Sequence, residues 1–280
     1  MGGSTYDIPV GQAAPGQTYS SCSMRAYSKV RTANKDVLPT KEMQLTTNAK
    51  HPIVVALDVT GSMGDSARIM YDKMPMFWGQ IEQQGYLKDP ALSFCCVGDV
   101  ACDQAPLQVT PFEKAKAIHP WLEKLWLEGG GGGNLVESYD LAAVFYLNQV
   151  TTPKAEGKPF FFYIGDEGFY PEVDGCPTEI VFQQLQDQYD VYAIHWPYGG
   201  GGWPSKDEKI VAQWRSIFGE RLLTLQDPKA IVDVMLGIIA MRQDSVDLDA
   251  YLQDMKDRGQ DEERVKTVTT ILTQVSGDAK

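Results

Sequence analysis

Short runs that are apolar at nearly every position alternate, through the middle of this chain, with stretches whose apolar residues return at helical spacing. The runs Ile53–Leu57, Ala91–Val97, Leu107–Phe112, Phe160–Ile164, Val191–Trp196 and Arg221–Leu225 predict strands. Ile53–Leu57 and Phe160–Ile164 have no polar alternation, which predicts strands covered on both faces. Between them, Ser66–Gln84, Glu113–Leu127, Glu137–Val150, Thr178–Tyr189, Lys206–Phe218 and Pro228–Met241 predict helices. Pro75 predicts a kink in the first, and Pro228 is a favoured first-turn residue in the last. The alternation predicts an α/β fold of the doubly wound, Rossmann-like kind, a six-stranded and mostly parallel sheet with helices on both faces. The link Gly98–Gln104 is too short for a crossover helix, so Leu107–Phe112 is expected to pair antiparallel with Ala91–Val97 as an edge strand.

Three regions follow. Residues 1–50 carry scattered Gly, Ser, Thr and Pro with no sustained period and read as an extended arm, 51–243 as the α/β domain, and 244–280 as a helical tail. In the tail, Leu248, Tyr251, Leu252 and Met255, then Val265, Val268, Ile271 and Leu272, are amphipathic enough for one or two helices packing on the domain or on a partner. For Asp254–Arg264 a solvated, charged stretch is an equal reading.

With 280 residues, 43% of them hydrophobic and 22% charged, the chain buries a full core. Its net charge of −12 argues against a nucleic-acid surface, which needs clustered Lys and Arg, and fits good solubility or a basic partner. No stretch approaches the ~20 apolar residues that span a bilayer. The N-terminus lacks the basic start and apolar run of a signal peptide, and Tyr6 stands where a myristoylation pattern needs Ser or Thr, so a cytoplasmic location is expected. Cys22, Cys95, Cys96, Cys102 and Cys176 show no zinc-module spacing and read as mostly structural, reduced thiols. Cys95 and Cys96 should face opposite sides of their strand.

The chemistry gathers where strands end. Ile53–Leu57 runs into Asp58-Val59-Thr60-Gly61-Ser62-Met63-Gly64, placing a carboxylate and two hydroxyls on one tight turn. Such an all-oxygen set suits a hard cation, Mg²⁺ or Mn²⁺ before zinc, with Ca²⁺ admissible. The plainer reading is that Asp58 and Ser62 cap the next helix. Phe160–Ile164 also ends in an acidic turn, Gly165-Asp166-Glu167-Gly168, and parallel strands deliver both turns to one sheet edge. Between them, the glycine run Gly129–Gly133 leads into Asn134-Leu135-Val136-Glu137-Ser138.

Asp58-x-Thr60-x-Ser62 after a buried strand resembles the metal-ion-dependent adhesion site of von Willebrand factor A domains. The usual motif is Asp-x-Ser-x-Ser, and Thr60 supplies the same hydroxyl. The resemblance spans roughly Ile53 to Met241 and extends to bacterial and phage-encoded members of the family. It implies a third-loop Asp, matched by Asp166, and a second-loop Thr, in whose place this chain has Asn134, Glu137 or Ser138. It also implies the antiparallel edge strand, and an ion, Mg²⁺ first, whose open position is completed by the Asp or Glu carboxylate of a protein partner.

On the same predicted edge lie Asp99, Phe169, Tyr170, and a glycine loop with Tyr198 and Trp203, a plausible rim for gripping a partner. His195 reads as a structural histidine in preference to a site residue. The expected function is a metal-dependent protein-binding module, a cytoplasmic adaptor or assembly factor without catalytic residues. The alternatives are a structural phage or assembly component whose ion only stabilises loops, and a metal-dependent phosphoesterase. The last lacks the Asp-x-Asp that dehalogenase-like phosphatases need, because Thr60 stands at its second position.

Overall fold

Strands β1 (His51–Asp58), β2 (Pro90–Val97), β3 (Leu107–Val109), β4 (Phe160–Gly165), β5 (Asp190–His195) and β6 (Leu222–Thr224) form one sheet in the order β6-β5-β4-β1-β2-β3. Every neighbouring pair is parallel except β2–β3, the antiparallel edge that the short link dictates. The computed structural model describes residues 33–129, 135–242 and 246–275, so most of the predicted arm, and Asn134 with it, lies outside the described residues.

Side chains leave the sheet alternately and build two cores. Ile53, Val55 and Leu57 of β1 join Phe160, Phe162 and Ile164 of β4 under α1 (Asp65–Asp72), α2 (Met74–Gln84) and a later helix, Ile231–Arg242. Val54, Ala56, Phe161 and Tyr163 face α4 (Tyr139–Gln149), α5 (Thr178–Gln188) and α6 (Pro204–Phe218) on the other side. Cys96 lies in the first core and Cys95 in the second, as strand alternation requires. Cys95, Cys96 and Cys176 are free thiols, whereas Cys102 is disulfide-bonded, a single bridge that the mostly reduced set expected from the sequence neither excludes nor suggests.

Two predicted helices differ. Ser66–Gln84 breaks at Lys73 into α1 and α2, with Pro75 in the first turn of the second, where its missing N–H costs nothing. Glu113–Leu127 yields only a 3₁₀ turn, Ala115–Ile118, and one helical turn, α3 (His119–Leu122). Glu113 instead bridges to Leu92 by backbone bonds of 2.8 and 2.9 Å. Downstream, the buried Gln108 amide holds both polar groups of Trp126's backbone, donating to its carbonyl at 2.7 Å and accepting from its N–H at 2.8 Å.

After α7 (Ile231–Arg242), α8 (Leu248–Asp257) and α9 (Glu262–Leu272) fold back onto it, so the tail's apolar stripes meet the body of this chain. Every residue from Ile231 to Ala240 is buried, Tyr251 donates to the Asp233 carbonyl at 2.5 Å, and Gly237 lies under Tyr251 and Leu272. Among the described residues no helix is long and apolar enough to cross a membrane.

Candidate functional site

The chain leaves β1 toward β2 on one side and later returns to β4 on the other. The β1/β4 boundary is therefore the topological switch point of the sheet, where open α/β folds leave a crevice beyond the strand ends. Asp58 is the last residue of β1 and Asp166 follows the last of β4. Gly165 sits where a side chain would fill this crevice, since a Cβ there would lie 1.8 Å from the Tyr139 hydroxyl and 3.0 Å from Asp58 Cβ.

Asp58 is completely buried and fixed on both oxygens. Its Oδ1 accepts the Thr60 N–H at 2.8 Å and the Thr60 hydroxyl at 2.6 Å, and its Oδ2 accepts the Tyr139 hydroxyl at 2.5 Å. Ser62 donates to Asp166 Oδ1 at 2.8 Å, and the Gly199 N–H reaches Asp166 Oδ2 at 3.3 Å. Each hydroxyl has a single proton, and these bonds commit both of them. The Thr60 and Ser62 oxygens lie within hydrogen-bond distance of each other, 3.2 Å apart. That spacing is near the edge of an octahedron with metal–oxygen bonds of about 2.1 Å, roughly 3 Å.

Two more carboxylates close the pocket. Val136–Glu137 pairs in parallel with Gly168–Phe169, bringing the second loop against the third. Glu137 and Glu167 are both completely buried and lie beside each other, with the Ser62 hydroxyl also beside Glu167, and no donor of good hydrogen-bond geometry reaches their carboxyl oxygens. Burial, then the charge of Glu167, then that of Asp58 push Glu137 well above the usual carboxylate range. Burial and the Asp58 charge raise Glu167 to about 7. Asp58 is raised by burial against the pull of the Thr60 and Tyr139 hydroxyls, and Asp166 by burial and the Asp58 charge. None of the ion pairs among the described residues reaches any of the four.

An uncompensated buried carboxylate costs several kcal/mol in its ionised form, so four together fit a cation site. The donor set of hydroxyl and carboxylate oxygens is that of a hard divalent ion. Among the described residues no three His, Cys, Asp or Glu side chains converge into a ready coordination shell, so an ion here would also need the hydroxyls and water.

The predicted rim divides. Asp99 is buried and accepts the Tyr170 hydroxyl at 2.7 Å and the Ala101 N–H at 2.9 Å, so it braces a loop. Phe169 is buried between Phe182 and Trp214, which removes it from any surface contact. Trp203 is 57% exposed, with the Lys206 ammonium 4.6 Å from its ring centroid and 5.2 Å from that of Tyr198. Tyr198 is pushed up to about 12, first by burial and then by the charges of Glu167, Asp166 and Glu137. His195 is buried and bonds Asp207 at 2.7 Å, and the same Asp207 oxygen accepts the Tyr198 N–H at 2.8 Å, so the histidine anchors the rim loop as a structural residue.

The structure joins Asp58, Thr60, Ser62 and Asp166 in one run of hydrogen bonds and sets the Glu137 strand against the loop that follows Asp166, and it adds Tyr139, which no sequence motif singles out, and Glu167 of the acidic turn. Glu167 adjoins Asp166 and is visible as a second acid in that turn. Tyr139, 81 positions from Asp58, leaves no local signal.

No protein-family model matches the chain, and no curated protein sequence is similar to it. Solved structures are similar in fold. Proximal thread matrix protein 1 from the mussel byssus matches at TM-score 0.50 and 11% identity over 69% of this chain and 49% of its own. The pilus adhesin SpaC of Lactobacillus rhamnosus GG, in its open conformation, matches at TM-score 0.52 and 12% identity over 71% of this chain and 31% of its own. The chain therefore spans about half or less of these proteins. At such identity the likeness shows a fold, an α/β domain like that of von Willebrand factor A, with its six strands and one antiparallel edge.

Proposed function

We propose that this chain is a divalent-metal-dependent protein-binding module, an adaptor or assembly factor. In this reading 51–243 holds the ion and the arm 1–50 and tail 244–280 flank it. The observation that carries the reading is the buried group of Asp58, Glu137, Asp166 and Glu167 around two hydroxyls whose protons are already committed. Mg²⁺ is the first choice of ion and Mn²⁺ the convenient probe. Ser62, the one partly exposed member of the set, marks the side from which a partner's Asp or Glu would complete the shell. The working compartment is proposed as the cytoplasm, or a phage particle, while the Cys102 disulfide favours an oxidising setting.

Complete burial of most of the set favours a second reading, a structural ion that only ties the three loops together. A phosphoesterase fits less well, because both Asp58 oxygens are engaged by Thr60 and Tyr139. The test is calorimetric titration of Mg²⁺ and Mn²⁺ into metal-free protein, with Asp58→Ala as control, followed by partner capture with and without chelator. The module reading expects saturable binding that the substitution abolishes and capture that EDTA prevents. Capture insensitive to EDTA favours the structural ion, and no binding at millimolar ion removes the metal from both readings.

A further inference from the structure

The chain has five cysteines, Cys22, Cys95, Cys96, Cys102 and Cys176. Cys95, Cys96 and Cys176 are free thiols and Cys102 is disulfide-bonded, which leaves Cys22, outside the described residues, as the cysteine that bonds it. Burial agrees with that division. Cys95 and Cys96 are 1% and 2% exposed on opposite faces of β2, and burial pushes both thiols up, that of Cys96 to about 12, so neither supplies the thiolate that disulfide exchange needs. Cys102 is partly exposed, on the loop between β2 and β3.

That loop borders the candidate site on two sides. The Gly98 carbonyl accepts the Ser138 N–H at 3.1 Å, and the Ser138 hydroxyl accepts the Val100 N–H at 3.0 Å, one residue from Glu137. Asp99 accepts the Tyr170 hydroxyl at 2.7 Å with its side chain and the Cys102 N–H at 3.1 Å with its carbonyl, which ties the cysteine to the loop after Asp166. On the arm's side, Val37 is buried in the first core and Asp36 pairs with Lys124 at 2.8 Å, so the described part of the arm is already fixed to the domain.

We propose that Cys22 and Cys102 form a redox-sensitive clasp that ties the N-terminal arm to the β2–β3 loop beside the pocket. The clasp stands whether or not the pocket holds an ion. It closes by exchange with a small-molecule disulfide. The S–S bond of the small molecule breaks, one forms between Cys22 and Cys102, and the two protons and two electrons of the protein thiols leave on two small-molecule thiols. A dissolved thiol reverses the exchange, and the partial exposure of Cys102 gives it access. Closed, the clasp gives the arm a second fixed point at the edge of the site and steadies the loop that braces Ser138 and Tyr170.

The test holds the full chain in buffers of rising reduced-to-oxidised glutathione ratio, blocks free thiols with N-ethylmaleimide in denaturant, and digests with trypsin without reductant. Cleavage yields Met1–Arg25, which carries Cys22, and Asp89–Lys114, which carries Cys95, Cys96 and Cys102. In oxidising buffer these two peptides are expected to be joined, with both other cysteines of the second blocked, in a protein of one chain's mass. The join should be absent from Cys22→Ser, from Cys102→Ser and from the wild type in excess reduced glutathione. Deuterium uptake over Gly98–Gln104 should quicken several-fold when the wild type is reduced and be alike in both buffers in Cys22→Ser, with uptake over β1 and β4 as the folding control. A blocked Cys22 in oxidising buffer, a join that survives Cys102→Ser, or a join found only between two chains overturns the pairing. A bond that persists in excess reduced glutathione, or loop uptake indifferent to reduction, overturns the clasp.

Discussion

A methyl group at position 165 would collide with the Tyr139 hydroxyl, so the glycine there is what allows Tyr139 to reach Asp58. Gly165→Ala is therefore expected to push Tyr139 aside, with an overpacking cost of about 1–3 kcal/mol and a several-fold weaker Mn²⁺ affinity. Tyr139→Phe keeps the ring packed against Tyr163 and Trp214 and removes only the donor, at a cost of roughly 1.5–3 kcal/mol for a bond to a charged group. Denaturant unfolding and Mn²⁺ titration of both variants check this, and an alanine variant that matches the wild type in both would refute it. The contrast also shows what was legible. Asp58, Thr60, Ser62 and Asp166 could be read because each lies within a few residues of a strand end. The reach of Tyr139 and the convergence of Glu137 on Glu167 depend on how loops from distant parts of the chain pack, and no local period records that.

At the level of elements, the main strands were legible because β1 and β4 are short runs apolar at nearly every position, rich in β-branched and aromatic residues, as in a sheet covered on both faces. The same logic failed over Glu113–Leu127. Trp121, Leu125 and Trp126 have helical spacing, yet Gln108 captures the Trp126 backbone from β3, an interaction with no signature in the segment itself. The tail forms both its helices, and one glycine lets them dock. A Cβ on Gly237 would lie 2.3 Å from Leu272 Cδ1 and 2.8 Å from Tyr251 Cε1. Gly237→Val is expected to loosen α8 and α9 from α7 while leaving the sheet formed. Limited proteolysis should then cut between α7 and α9 at a protease dose that spares the wild type, and equal resistance would show that the tail tolerates the added bulk.

Among the described residues the molecule buries many more acidic than basic side chains, which sets how its stability should respond to pH. Besides the site, Asp103 is raised to about 8 and Asp140 to about 7, both first by burial, and each keeps one buried oxygen without a partner. In the unfolded chain these carboxyls titrate near 3.8. Between the two values the folded protein holds more protons than the unfolded one, so stability is greatest below about pH 4 from this source and declines as pH rises toward 8. A tenfold difference in proton affinity between the folded and unfolded chain corresponds to about 1.4 kcal/mol, so the decline is of the order of several kcal/mol, moderated by coupling among the groups. A divalent ion opposes it, because it binds only ionised carboxyls of the folded state. At a hundredfold excess over its dissociation constant it adds about 2.7 kcal/mol. The expected result is a melting temperature that falls from pH 5 to pH 8 in chelator and falls less in saturating Mg²⁺. Asp140 lies outside the proposed ion shell, so Asp140→Asn should flatten both curves alike, whereas Glu167→Gln should flatten only the chelated one. A chelated melting curve that stays level or rises over this range would mean that the buried carboxylates are already compensated, and the case for a cation between β1 and β4 would go with them.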